Sequence, residues 1–151
     1  MQFFMPLERI PTVTHQQGSR SAIVKGKIVH YKSTEYEEAI GILLGALSQH
    51  RPDKPIEPPV ELTTLWYFGT KNKNRNMMLK ITKPDEDNLV KGFRDCLERL
   101  KFVKCDQHIA VSHTWRFWTT GVPGIYVDIK KVNEYGDGIE TISDGSGNLY
   151  I

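Results

Sequence analysis

The chain is poor in cysteine, with two in 151 residues, and it has no apolar run approaching the roughly 18–20 residues of a membrane helix. So few cysteines exclude a disulfide framework, and Cys96 and Cys105 are expected to be reduced thiols of a cytoplasmic protein. The opening MQFFMPLERIP lacks a basic stretch followed by a long apolar one, so no secretory signal is expected there. No internal repeat is visible. What remains is the composition of an ordinary globule, 39% hydrophobic and 25% charged, with enough apolar material for one core.

The net charge of +2 hides an uneven distribution. Residues 71–104 hold ten Lys and Arg against five Asp and Glu, while the rest holds ten against thirteen. A segregated basic segment suits a polyanion, although a solvated basic face gives the same count.

Apolar periodicity predicts the elements. Phe3–Met5 reads as a first strand, and Ala22–Val24 with Ile28–Tyr31 as a hairpin turning at Lys25-Gly26-Lys27. A helix is expected from about Glu35 to Gln49, with Thr34 and Glu37 at capping-box spacing. Gly41 and Gly45 weaken that helix, and close packing against a neighbouring backbone is the expected reason for them. The proline-rich RPDKPIEPP over 51–59 is a stiff connection, followed by strands at Val60–Phe68 and Met77–Thr82. A second helix is predicted from about Asn88 to Lys101, burying Leu89, Phe93, Cys96, Leu97 and Leu100. Strands at Ile109–Trp118 and Ile125–Val132 complete a single α/β (α+β-like) domain over residues 1–132, a mixed sheet with two principal helices. Residues 133–151 form a glycine-rich tail.

The chemistry concentrates at Lys83-Pro84-Asp85-Glu86-Asp87-Asn88-Leu89-Val90-Lys91, where an expected strand turns into an expected helix. Asp85 and Asp87, two apart, point to one side if the backbone is still extended. Their hard anionic oxygens suit magnesium or manganese. Asp106 follows the helix, so the loop must fold back for it to join them. That return is expected if the next strand lies beside the strand carrying Asp85. A metal held this way activates water and stabilises charge on a phosphodiester in displacement, and Lys91 adds a cation one turn beyond Asp87. Spacing equally admits a plain structural account, with an aspartate capping the helix and Asp87–Lys91 a surface pair.

KPDEDNLVKGFRDCLERLKFVKCDQHI, over residues 83–109, resembles the central motif of the RusA family of Holliday junction resolvases. That motif has an Asp-x-Asp-Asn pair, a lysine four residues after the second Asp, an amphipathic helix and a final Asp. The resemblance implies a crossover junction endodeoxyribonuclease, a homodimer that nicks opposing strands of four-way DNA junctions with Mg2+ or Mn2+. It implies Asp85, Asp87 and Asp106 as metal ligands and Lys91 as the catalytic lysine. The family usually places two adjacent acids at the last site; here the first is Cys105, leaving Asp106. Other readings are a nuclease for other branched DNA and a non-catalytic DNA-structure binder.

Lys71, Lys73, Arg75 and Lys83 are candidate DNA contacts, because their loop leads to Asp85. His15, Gln16 and Gln17 are polar loop residues with the same possible use. Cys96, Cys105, His108 and His113 match none of the usual zinc spacings. Asp144–Asn148 resembles the start of a calcium loop but lacks the distant glutamate, and reads as a turn. Trp115, Phe117 and Trp118 are expected to divide between the core and a second surface.

Overall fold

The computed structural model describes residues 1–12, 19–32 and 34–134. His15, Gln16, Gln17, the Asp144–Asn148 turn and all but the first two residues of the tail lie outside them. Strand β1 spans Gln2–Pro6, β2 Ser19–Val24, β3 Lys27–Lys32, β4 Val60–Gly69, β5 Ile109–Thr119 and β6 Gly124–Lys131. Helix α1 spans Thr34–Ser48 and α2 spans Glu86–Arg99.

The architecture is α+β. A mixed four-stranded sheet has the order β1-β6-β4-β5, with β4 and β5 parallel and the other pairs antiparallel. Strands β2 and β3 form a separate hairpin. Its turn residues Lys25 and Gly26 both have positive φ, 50° and 75°, as a two-residue turn of matching twist requires.

Alternation along β4 decides which face is covered. Val60, Leu62, Thr64, Trp66 and Phe68 are buried, and the residues between them are half-buried. The buried face joins Tyr36, Ile40, Leu43 and Leu47 of α1 with Leu89, Phe93, Cys96 and Leu97 of α2 in one core. Trp66 meets Phe93 edge-on at 5.6 Å, which seats α2 on β4, and its indole N–H donates to Thr64 Oγ1 at 2.9 Å. The opposite face carries an aromatic row: Phe4 lies 6.2 Å from Tyr67, Tyr67 5.7 Å from Phe117, and Phe117 6.4 Å from Trp115. Trp118 instead turns inward to Phe68, at 6.3 Å. The expected division of these aromatics between two surfaces is thus observed.

Three local expectations are corrected. Met77–Thr82 is not a strand: it makes one isolated antiparallel bridge, Leu79 to Phe117, beside the outer edge of β5. Met77 has φ 62°, which breaks the extended run before a ladder can form. Helix α1 already includes Thr34, so the cap position falls on residue 33, outside the described residues, and the capping box is not seen. Gly41 and Gly45 are exposed, and a Cβ at either would meet nothing within 4 Å. Among the described residues they serve no close backbone packing.

Because nothing opposes a side chain there, Gly41→Ala and Gly45→Ala should each stabilise the protein by about 0.4–1 kcal/mol. Urea unfolding measures this. A lower midpoint in either variant would show that this face of α1 is covered in solution.

Candidate active site

The segment entering α2 is organised by two cations. Lys80 is buried, and its ammonium donates to Thr82 O at 2.8 Å, Thr82 Oγ1 at 2.7 Å and Lys83 O. The same ammonium sits 4.9 Å above Phe68 and 4.8 Å above Trp118. Arg116 of β5 donates to Pro84 O at 2.7 Å and Thr82 O at 3.4 Å. The carbonyls of three successive residues, 82–84, are therefore satisfied by side chains instead of by a β-ladder. Burial, and then the nearby Arg116 charge, pull the Lys80 pKa below the usual lysine value.

Asp85 follows directly and occupies the N-cap of α2 in an extended conformation, φ −69° and ψ 150°. Its side chain makes no capping hydrogen bond, so the capping account of this residue is not realised. Asp87 lies inside the helix, which begins at Glu86, and the alternation of an extended chain does not relate the two. Asp87 and Lys91 are both exposed, and no ion pair joins them. The helix dipole favours the acids of this first turn whatever else they bind.

The return to Asp106 is made by the end of α2. Lys101 has φ 61°, its N–H bonds Glu98 O at 3.0 Å, and the Phe102 N–H bonds Leu97 O at 2.9 Å. This is a Schellman closure with lysine where glycine is usual, and the buried Phe102 and Val103 anchor it in the core. The chain reverses, and a single 310 turn over Asp106–His108 leads into β5. Strand β5 lies beside the 77–80 segment, with Met77 N–H bonded to Trp118 O and Lys80 N–H to Arg116 O, both at 2.8 Å. The expected neighbour of β5 is thus present, but as a segment joined by one bridge and not as a paired strand.

A cleft of about 590 Å3 results, lined by Asp87, Lys91, Arg94 and Asp106 with Glu86, Ser112 and others. Of the four expected site residues, it brings together Asp87, Lys91 and Asp106; Asp85 is not among its lining residues. The described His, Cys, Asp and Glu side chains whose ligand atoms all lie within 4.8 Å of one another are Glu98, Cys105 and Asp106. There Glu98 Oε2 accepts from the Asp106 N–H at 2.9 Å, and the Cys105 thiol lies 3.7 Å from Asp106 Oδ1. Lys71, Lys73, Arg75 and Lys83 are exposed, but none lines the cleft, and Arg75 lies 5.8 Å over the Trp118 ring. Cys96 is in the core, and burial pushes its thiol up to about 12. His113 lies 4.0 Å from Glu61.

Sequence reasoning missed Lys80, Arg94, Glu98, Ser112 and Arg116. Arg94 and Glu98 were findable, since they continue the helical stripe Asp87–Lys91 at seven and eleven residues past Asp87. Ser112 and Arg116 arrive only through strand pairing.

Asp85, Asp87 and Asp106 are exposed and none forms an ion pair among the described residues, but Asp106 Oδ1 accepts from the Cys105 thiol and the three carboxylates do not all come within 4.8 Å of one another. A family model described as Endodeoxyribonuclease RusA matches residues 10–130. The chain is also 26% identical, over 92% of its length and 93% of the relative's, to the crossover junction endodeoxyribonuclease rusA of Lactococcus phage r1t.

Two outcomes test this geometry. Lys80→Met should cost about 1–3 kcal/mol in urea unfolding, because it leaves part-buried carbonyls unpaired. It should also weaken Mn2+ binding measured by calorimetry; wild-type values for both would show that the clamp is dispensable. In native protein a thiol reagent should modify Cys105 rapidly and Cys96 only after unfolding. Equal reactivity of the two would contradict the packing of α2.

Proposed function

The chain belongs to the RusA family of endodeoxyribonucleases, and on that premise we propose that it resolves four-way DNA junctions by paired, symmetric nicks. The observation that carries this reading is the cleft that joins Asp87, Lys91 and Asp106 from two ends of α2. The name of the phage relative supports the branched substrate.

Asp85, Asp87 and Asp106 would hold Mg2+ or Mn2+, which on binding lowers the pKa of a water and stabilises charge on the phosphate. Their oxygen donors fit these ions. Cys105, where the family usually has a second acid, is a poor magnesium ligand, so Asp106 carries that corner of the site. Lys91 projects from α2 one turn after Asp87 and holds the non-bridging oxygens of the scissile phosphate by charge. The exposed Lys71, Lys73, Arg75 and Lys83 lie outside the cleft and would hold flanking backbone by charge.

Two equivalent cuts need two equivalent sites, which a C2 homodimer supplies. We assign the partner copy to the aromatic face of the sheet, which no described helix covers and where Trp115 and Phe4 remain 51% and 39% exposed.

A labelled four-way junction incubated with Mg2+ should be nicked on opposing strands by a protein that sediments as a dimer. Asp85→Asn, Asp87→Asn and Asp106→Asn should each lower cleavage at least about 100-fold, the scale of losing one group that acts on the reacting centre, while junction binding persists. Binding without cleavage by the wild type would favour a DNA-structure binder, and cleavage of flaps but not junctions would favour another branched substrate.

A further inference from the structure

We propose that Arg94, with Ser112 of the same cleft, forms a second phosphate subsite that grips the strand next to the scissile phosphate. The inference rests on the nuclease reading above and adds to it a group that fixes substrate position.

Arg94 lies on α2 three residues past Lys91 and seven past Asp87, on the same stripe of the helix. At 1.5 Å per residue it sits about 4.5 Å beyond Lys91 along the axis. Successive phosphates of one DNA strand rise about 3.4 Å, so a strand held at Lys91 brings its next phosphate towards Arg94. Both side chains line the same cleft as Asp87 and Asp106.

The state of Arg94 is what singles it out. It is half-buried, its Nε is fully buried, and that Nε has no hydrogen-bond partner. An enclosed Nε is beyond the reach of a ligand in the cleft, so a phosphate would be met by the two terminal Nη groups. Glu86, Asp87 and Asp106 line the same cleft, yet Arg94 forms no ion pair with any of them. A guanidinium that existed only to neutralise these acids would be paired with one. Its planar fork instead suits the two non-bridging oxygens of a phosphate. Ser112, from β5, lines the same cleft, is exposed and offers a hydroxyl donor without a partner among the described residues. The subsite thus has donors from two separate elements.

The test measures binding of a synthetic four-way junction, without divalent metal, across a KCl series. Wild type, Arg94→Gln, Arg94→Lys and Ser112→Ala are compared. Arg94→Gln should bind about tenfold more weakly, the equivalent of about 1.4 kcal/mol, and should reduce the slope of log K against log salt by about 0.9. Arg94→Lys should restore the slope but only part of the affinity, because the charge returns without the fork. Ser112→Ala should weaken binding with the slope unchanged. With Mg2+, Arg94→Gln should raise KM about tenfold and leave kcat within about twofold, since uniform binding is lost. Unchanged slope and KM in Arg94→Gln would overturn the subsite and leave Arg94 as a charge balance for the acids. A fall in kcat with unchanged slope would also overturn it, by placing Arg94 on the reacting phosphate. Failure of the wild type to bind any junction would instead bring down the nuclease reading, and this subsite with it.

Discussion

The site depends on a buried ammonium that does the work of a β-ladder. Lys80 and Arg116 satisfy the carbonyls of residues 82–84, which otherwise face either an apolar wall of Phe68 and Trp118 or solvent. Burying a lysine is unfavourable unless its protons are all directed to acceptors. Here three donors meet three oxygens, and two aromatic faces lie against the same charge. The arrangement resists sliding in a way that a short ladder would not. A strand can shift register by two residues and keep its pattern, whereas a point charge has one position that satisfies all three contacts. Asp85 begins one residue after the last carbonyl held.

Helix α2 then converts this fixed start into a fixed distance. Its buried stripe, Leu89, Phe93, Cys96 and Leu97, locks rotation about the helix axis against Trp66. That rotation determines where Asp87, Lys91, Arg94 and Glu98 project. At the far end Lys101 takes the left-handed conformation that reverses the chain. Lysine there costs about 1–2 kcal/mol relative to a right-handed geometry, and the burial of Phe102 and Val103 immediately afterwards offsets it. Both ends of one helix therefore contribute acids to one cleft.

How much of this was legible in the sequence depended on the range of the interaction. The helices, β4, β5 and β6 could be read because their apolar periods are set by local geometry. The segment over 77–82 was misread because its alternation resembles a strand while Met77 turns left-handed and Lys80 points inward. No periodicity announces a lysine that will be buried; only its acceptors, brought in by folding, make that position tolerable. Gly41 and Gly45 misled for the opposite reason, since a small residue is read as close packing when the helix has in fact nothing opposite it. At the site, Asp87, Lys91 and Asp106 were found through a motif. Arg94 and Glu98 lay on the same stripe but outside the motif's familiar residue types.

The charge distribution in the cleft gives these pieces a common logic. Acids and bases line it together, yet neither Lys91 nor Arg94 is paired with Asp87 or Asp106. On a flexible surface such neighbours approach one another for a few tenths of a kcal/mol. Asp87 and Lys91, at i and i+4 on α2, are near enough to do the same, yet no ion pair joins them. A cleft that carries both signs unpaired leaves each open to a ligand. It is complementary to a ligand that also carries both signs, a divalent cation bridged to a run of phosphates. The backbone of a nucleic acid strand with its metal has that alternation. Removing an acid leaves an excess of cations that still attract the strand, and removing a cation leaves acids that still attract the metal. On the proposed reading, binding and catalysis would separate along the length of one helix.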